Sequence, residues 1–111
     1  MAIEVKLNTA NNPPVTVQPQ IHSVNQGNHT ISWVPFAQEN FTFVSLTGLP
    51  NPPFSNLTVT DTQITVSDDN QNTGSAVEYA YVVVVCSDGV EYSSATQNPR
   101  EGDGDPTIKN K

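Results

Sequence analysis

Apolar residues recur at every second position in short runs along this chain, and clusters of Asn, Pro, Gly and Asp separate the runs. A period of two marks a strand with one face buried, and no stretch of a dozen residues carries the 3.6-residue period of a helix, so an all-β fold is predicted. "IEVKL" directs Ile3, Val5 and Leu7 inward and Glu4 and Lys6 outward, before Pro13 and Pro14 break the run. "VTVQP" sets Val15 and Val17 on one side. A turn at residues 25–28 feeds a strand with Ile31 and Trp33 inward, ended or bent by Pro35. "LTVT" and "QITVS" direct Leu57, Val59, Ile64 and Val66 inward around a turn near Asp61, and the polar run 67–75 reads as a surface loop.

Two segments break the alternation. In "YAYVVVVC" Tyr79, Tyr81, Val83 and Val85 line one face, while Ala80, Val82, Val84 and Cys86 line the other. "FTFVSL" likewise sets Phe41 and Phe43 on one side and Val44 and Leu46 on the other. If the two strands are neighbours, Val82, Val84, Val44 and Leu46 form one apolar patch, which a monomer seldom exposes, and they are the candidate interaction residues. Ser87-Asp88-Gly89 predicts a hairpin into "VEYS", because Asp-Gly tolerates positive φ.

Seven to nine short strands in 111 residues predict one domain, a Greek-key β-sandwich of two antiparallel sheets. The same spacing permits a small barrel. Residues 98–111 form a Gly/Asp-rich tail that ends in a last short strand at Thr107 to Lys109.

Charge narrows the partners. Four Lys and Arg stand against eleven Asp and Glu, a net charge of −7, and the basic residues are scattered. Such a surface repels a duplex or an anionic membrane, so neither nucleic acid nor membrane is an expected partner. Cys86 is the only cysteine, which excludes an intramolecular disulfide, and its simplest reading is a small apolar residue at the end of a buried strand. No basic-then-apolar leader opens the sequence, so the expected location is cytoplasmic. The sequons at Asn28, Asn40 and Asn56 carry weight only in a secretory route.

Three stretches resemble the cupredoxin-like sandwich family. "VTVQPQIHSVNQGNHTISWV" resembles its early strand, Gly-containing turn and Trp-ended strand, "YAYVVVV" its late Tyr-x-Tyr strand, and "DPTIKN" the ending of members that have no metal centre. The resemblance implies a sandwich without copper. The family's Cys position is occupied by Val83, Cys86 falls where its His would stand, and no His or Met follows. A blue-copper centre requires that thiolate with two imidazoles, and His22 and His29 both lie in the amino-terminal third.

Asp68, Asn70 and Asn72 alternate in the manner of a calcium loop, with Asp103 and Asp105 as a second candidate pair. Gly74 stands one place late for the helix-loop-helix pattern, and Tyr79 takes the place of its bidentate Glu. Trp33 alternates with Ile31 and is expected in the core rather than on a sugar-stacking surface. No phosphate loop, nucleophile elbow or catalytic carboxylate frame is present, and no cofactor is implied. The sequence therefore predicts a non-catalytic binding or assembly module for a protein partner or a second copy. The alternatives are calcium or small-ligand binding through the acidic loops and an enzyme whose site leaves no local motif.

Overall fold

The computed structural model describes residues 2–10, 14–36, 40–95 and 106–111. They form an all-β fold with eleven strands: β1 (Ala2–Leu7), β2 (Val15–Gln18), β3 (Ile21–Val24), β4 (Gly27–Pro35), β5 (Thr42–Thr47), β6 (Phe54–Val59), β7 (Ile64–Asn70), β8 (Val77–Ala80), β9 (Val82–Ser87), β10 (Val90–Ser93) and β11 (Thr107–Asn110). The five-stranded sheet runs β2-β1-β4-β7-β6, and two three-stranded sheets run β10-β9-β5 and β3-β11-β8.

The expectation of purely antiparallel sheets is corrected, because β1 pairs parallel with β4 and β11 parallel with β3. Parallel pairing joins strands distant in sequence, which local alternation does not encode. The count of seven to nine strands also falls short of eleven. Part of the difference arises because "YAYVVVV" is divided at Tyr81 between two sheets. The Tyr81 N–H donates to the Pro106 carbonyl at 2.9 Å, and the Ser94 N–H donates to the Val83 carbonyl at 2.9 Å. Residues two apart in a strand direct their amide groups to the same edge, so β11 and then β10 line one edge of 77–87 and join the two small sheets through it.

The core lies where the inner face of the five-stranded sheet meets the other two. Ile3, Val5, Ile31, Trp33, Ile64 and Val66 come from the first, and Phe43, Leu46, Tyr81, Val83, Val85 and Ile108 face them. Trp33 and Tyr81 meet edge to face at 5.3 Å, and the indole Nε1–H donates to the Tyr81 hydroxyl at 3.0 Å. Trp33 is fully buried, in the core position its alternation predicts. Burial holds the Tyr81 phenol above its ordinary pKa, so it stays a neutral acceptor for that bond.

Two bulges alter the expected facing. In β5 the register shifts between Phe43 and Ser45, which leaves Val44 39% exposed and turns Leu46 into the core at 3%. In β6 it shifts between Ser55 and Thr58, where Asn56 has φ of 56°, and Leu57 is 46% exposed instead of inward. An extra residue on one strand reverses the side to which the side chains beyond it point. The predicted loop at 67–75 is corrected as well, since residues 67–70 continue β7 and Asp68 and Asn70 face inward. The Asp-Gly hairpin is present, with φ of 52° at Asp88 and 77° at Gly89. Of the expected tail, Thr107–Asn110 form β11, and 98–105 lie outside the described residues.

Candidate functional site

The outer face of β9 explains why its strand is apolar on both sides. Val82 lies opposite Thr47, Val84 lies between Ser45 and Ser93, and Cys86 lies between Thr42 and Glu91. Central strands are half covered by the side chains of their neighbours, so Val82, Val84 and Cys86 form a single half-buried apolar row bordered mainly by hydroxyls. Val44 sits in the bulge and Leu46 in the core, so the four candidate interaction residues do not share a face. Leu46 in particular is absent from the outer face of β9, because the bulge reverses its direction.

Cys86 is half buried on this outer row, not in the core. A hydroxyl at this half-buried position stays within reach of water. Cys86→Ser is therefore expected to lower stability by less than about 1 kcal/mol, below the cost of orphaning a polar group in a core. Urea unfolding of the two proteins checks this, and a loss well above that size would place the thiol in a packed interior.

A second surface has no counterpart among the sequence expectations. The outer edges of β5 and β6 have no strand partner among the described residues, and the two strands diverge around a cleft of about 180 Å3. They are stitched at one end, where the Phe43 N–H donates to the Asp61 carbonyl at 3.0 Å. Leu46, Phe54 and Val66 reach the cleft from the core, while Leu49 and the outward-turned Leu57 form its apolar sides. Asn51, Ser55 and Asn56 add amide and hydroxyl groups. The β6 bulge builds this surface, because it carries Leu57 out of the core and Asn56 into a left-handed conformation. An apolar floor with a few polar groups at its margin is suited to a small apolar side chain with backbone beside it.

The third arrangement is polar and internal. Asp68, Asn70 and Asn110 are buried at one end of the core. Asn110 Nδ2 donates to Asp68 Oδ1 at 3.0 Å, and Asn70 Nδ2 donates to the Val24 carbonyl at 3.0 Å and the Lys111 backbone oxygen at 3.2 Å. Asn72 donates its backbone N–H to Asn70 Oδ1 at 3.1 Å and its side-chain amide to the Ser75 and Asn110 carbonyls at 2.8 and 3.1 Å. Burial raises the pKa of Asp68, opposed by the Asn110 bond and the nearby His29. The three residues read as alternate loop ligands thus join strands across the core. Asp103 and Asp105 lie outside the described residues. Among the described residues no three His, Cys, Asp or Glu side chains come together.

No family model matches the chain, and no curated protein matches it. The cupredoxin-like resemblance accordingly rests on the three quoted stretches. In the structure the first of them forms β2, β3 and β4, with β3 and β4 in different sheets. The sequence signals closest to the cleft are the proline-rich run "TGLPNPPFSN" and the Asn-Leu pair at its end. Alternation alone directs Leu57 inward, so the cleft is missed without the bulge.

Proposed function

We propose that this chain is a non-catalytic binding or assembly module, cupredoxin-like and without copper, built as a Greek-key sandwich with the five-stranded sheet as one layer and the joined small sheets as the other. Its recognition surface is the open margin between β5 and β6. An extended segment of a partner, or of a second copy, adds along one of the two edges and seats an apolar side chain in the cleft. The observation that carries this reading is the apolar cleft bordered by two strands whose outer edges are unpaired among the described residues. Strand addition uses those features together: the free backbone edge supplies affinity, and a pocket for an alternate side chain supplies selectivity. The net charge of −7 favours a neutral or basic segment over nucleic acid. No helix among the described residues is long and apolar enough to cross a membrane.

Leu57→Glu tests the cleft at a side chain that is exposed in the free protein, and Val84→Glu tests the outer row. With light scattering coupled to size exclusion for self-association and affinity capture for other partners, Leu57→Glu is expected to weaken binding at least tenfold with unchanged circular dichroism. If Val84→Glu abolishes association and Leu57→Glu does not, recognition lies on the outer face of β9 instead.

A further inference from the structure

Strands from two sheets bring polar side chains together at the end of the core where β4 begins. His29 on β4 stands opposite Asp68 on β7, and Asn110 reaches Asp68 from β11. Asp68 is 0% exposed and Asn110 2%. Among the described residues one bond joins these two planar groups, from Asn110 Nδ2 to Asp68 Oδ1, and the remaining oxygens, Asp68 Oδ2 and Asn110 Oδ1, are both buried without a hydrogen-bond partner there. Both are acceptors when Asp68 is a carboxylate, so neither can satisfy the other. Orphaned oxygens of this kind are uncommon in an interior because each has given up its bond to water.

One proton resolves both. A carboxylic acid and a carboxamide close a ring of two hydrogen bonds, amide N–H to one acid oxygen and acid O–H to the amide oxygen. We propose that Asp68 is held as the neutral acid, paired in both directions with Asn110, and that the pair is a pH-sensitive clasp fastening β11 to the five-stranded sheet. Loss of the proton leaves a single bond and two buried oxygens without a donor. The clasp then loosens at β11, which is the middle strand between β3 and β8.

The surroundings favour the neutral form. Burial is the largest influence on Asp68 and raises its pKa, and neighbouring Asp69 adds to the rise. His29 on β4 acts in the opposite sense, and its buried Nε2 has no partner among the described residues either. Phe54 on β6, which stands opposite Asp68, carries no charge, and Tyr79 on β8 packs against that phenyl ring. On β11, Lys109 is one residue from Asn110 and stands opposite Glu78 in the ladder with β8.

A carboxyl with a folded pKa above its unfolded value binds more protons in the native state. The stabilisation is complete below about pH 3.8, the ordinary value of the group, and is lost as pH rises through the folded pKa.

Carbon-13 NMR of the Asp side-chain carboxyls between pH 3 and 9 reads the proton directly. Asp68 is expected to stay in the acid position above about pH 3.8, the ordinary value of the group, and amide protection factors in β11 are expected to fall at least tenfold as it titrates. Asp68→Asn supplies an acceptor and a donor at every pH, so this variant is expected to keep the β11 protection constant and to flatten the pH dependence of the thermal midpoint. Titration of Asp68 at or below about pH 3.8 overturns the proposal. So does a proton found on His29 beside an ionised Asp68, or an Asp68→Asn midpoint that tracks the parent's pH dependence.

Discussion

Val83→Asp is expected to abolish the folded state, while Val82→Asp, one residue earlier, leaves it intact. Val83 is fully buried opposite Leu46, and nothing cationic lies among the residues that pack the core. Several kcal/mol are lost on burying an unpaired carboxylate, with about 1.5–3 kcal/mol more from the missing Val side chain, against a typical domain stability of about 5–15 kcal/mol. Val82 points the other way, half buried beside Thr47, where a carboxylate reaches water. Its replacement is expected to cost about 1 kcal/mol or less. Circular dichroism of the two variants checks the pair. If both lose the β-sheet signal, the outer row of β9 is covered and the facing described for this strand is incorrect.

The second large effect is expected at Gly48. It has φ of 104°, and a Cβ built there would lie 2.6 Å from the Ala80 carbonyl oxygen and 3.1 Å from Tyr81 Cα. Both neighbours are backbone at the point where 77–87 passes from one sheet to the next, so neither can move aside as a flexible side chain would. Gly48→Ala is expected to lower stability by about 2–4 kcal/mol, from backbone strain and collision together. Gly89, with φ of 77° and open space around it, is the control, because Gly89→Ala bears only the conformational cost, about 1–2 kcal/mol. Urea midpoints compare the two. Equal losses would mean that the close approach of Gly48 to Ala80 is absent in solution.

Much of the inner face of this fold can be read directly from alternation. Ile3 and Val5, Ile31 and Trp33, Ile64 and Val66, and the odd-numbered residues of 81–85 are all buried as a period of two requires. The Asp-Gly hairpin is equally legible, since its backbone demand is local. The two bulges are not, because an extra residue has no compositional mark and yet reverses the facing of the residues beyond it, as Leu46 and Leu57 show. Asp68 and Asn70 read as loop residues because their polarity is visible in the sequence and their partners are not. Asn110 lies more than forty residues further along the chain, so burial at β7 is intelligible only once the sheets meet. The cleft depends on the same long-range placement.

The edge shared by β10 and β11 has a consequence for how the chain tolerates change. Ser93 faces Val84 and Thr107 faces Ala80, whereas an unbroken ladder would set residue 97 against Ala80, so the register steps by ten residues from β10 to β11. Closing an interval of chain costs only about 0.6 kcal/mol more each time its length doubles. β11 is positioned by its bonds to β3 and β8 and by Asn110, not by the length of the tether that leads to it. Lengthening the chain ahead of Pro106 is thus expected to leave β11 in place, because its anchors are β3, β8 and the five-stranded sheet.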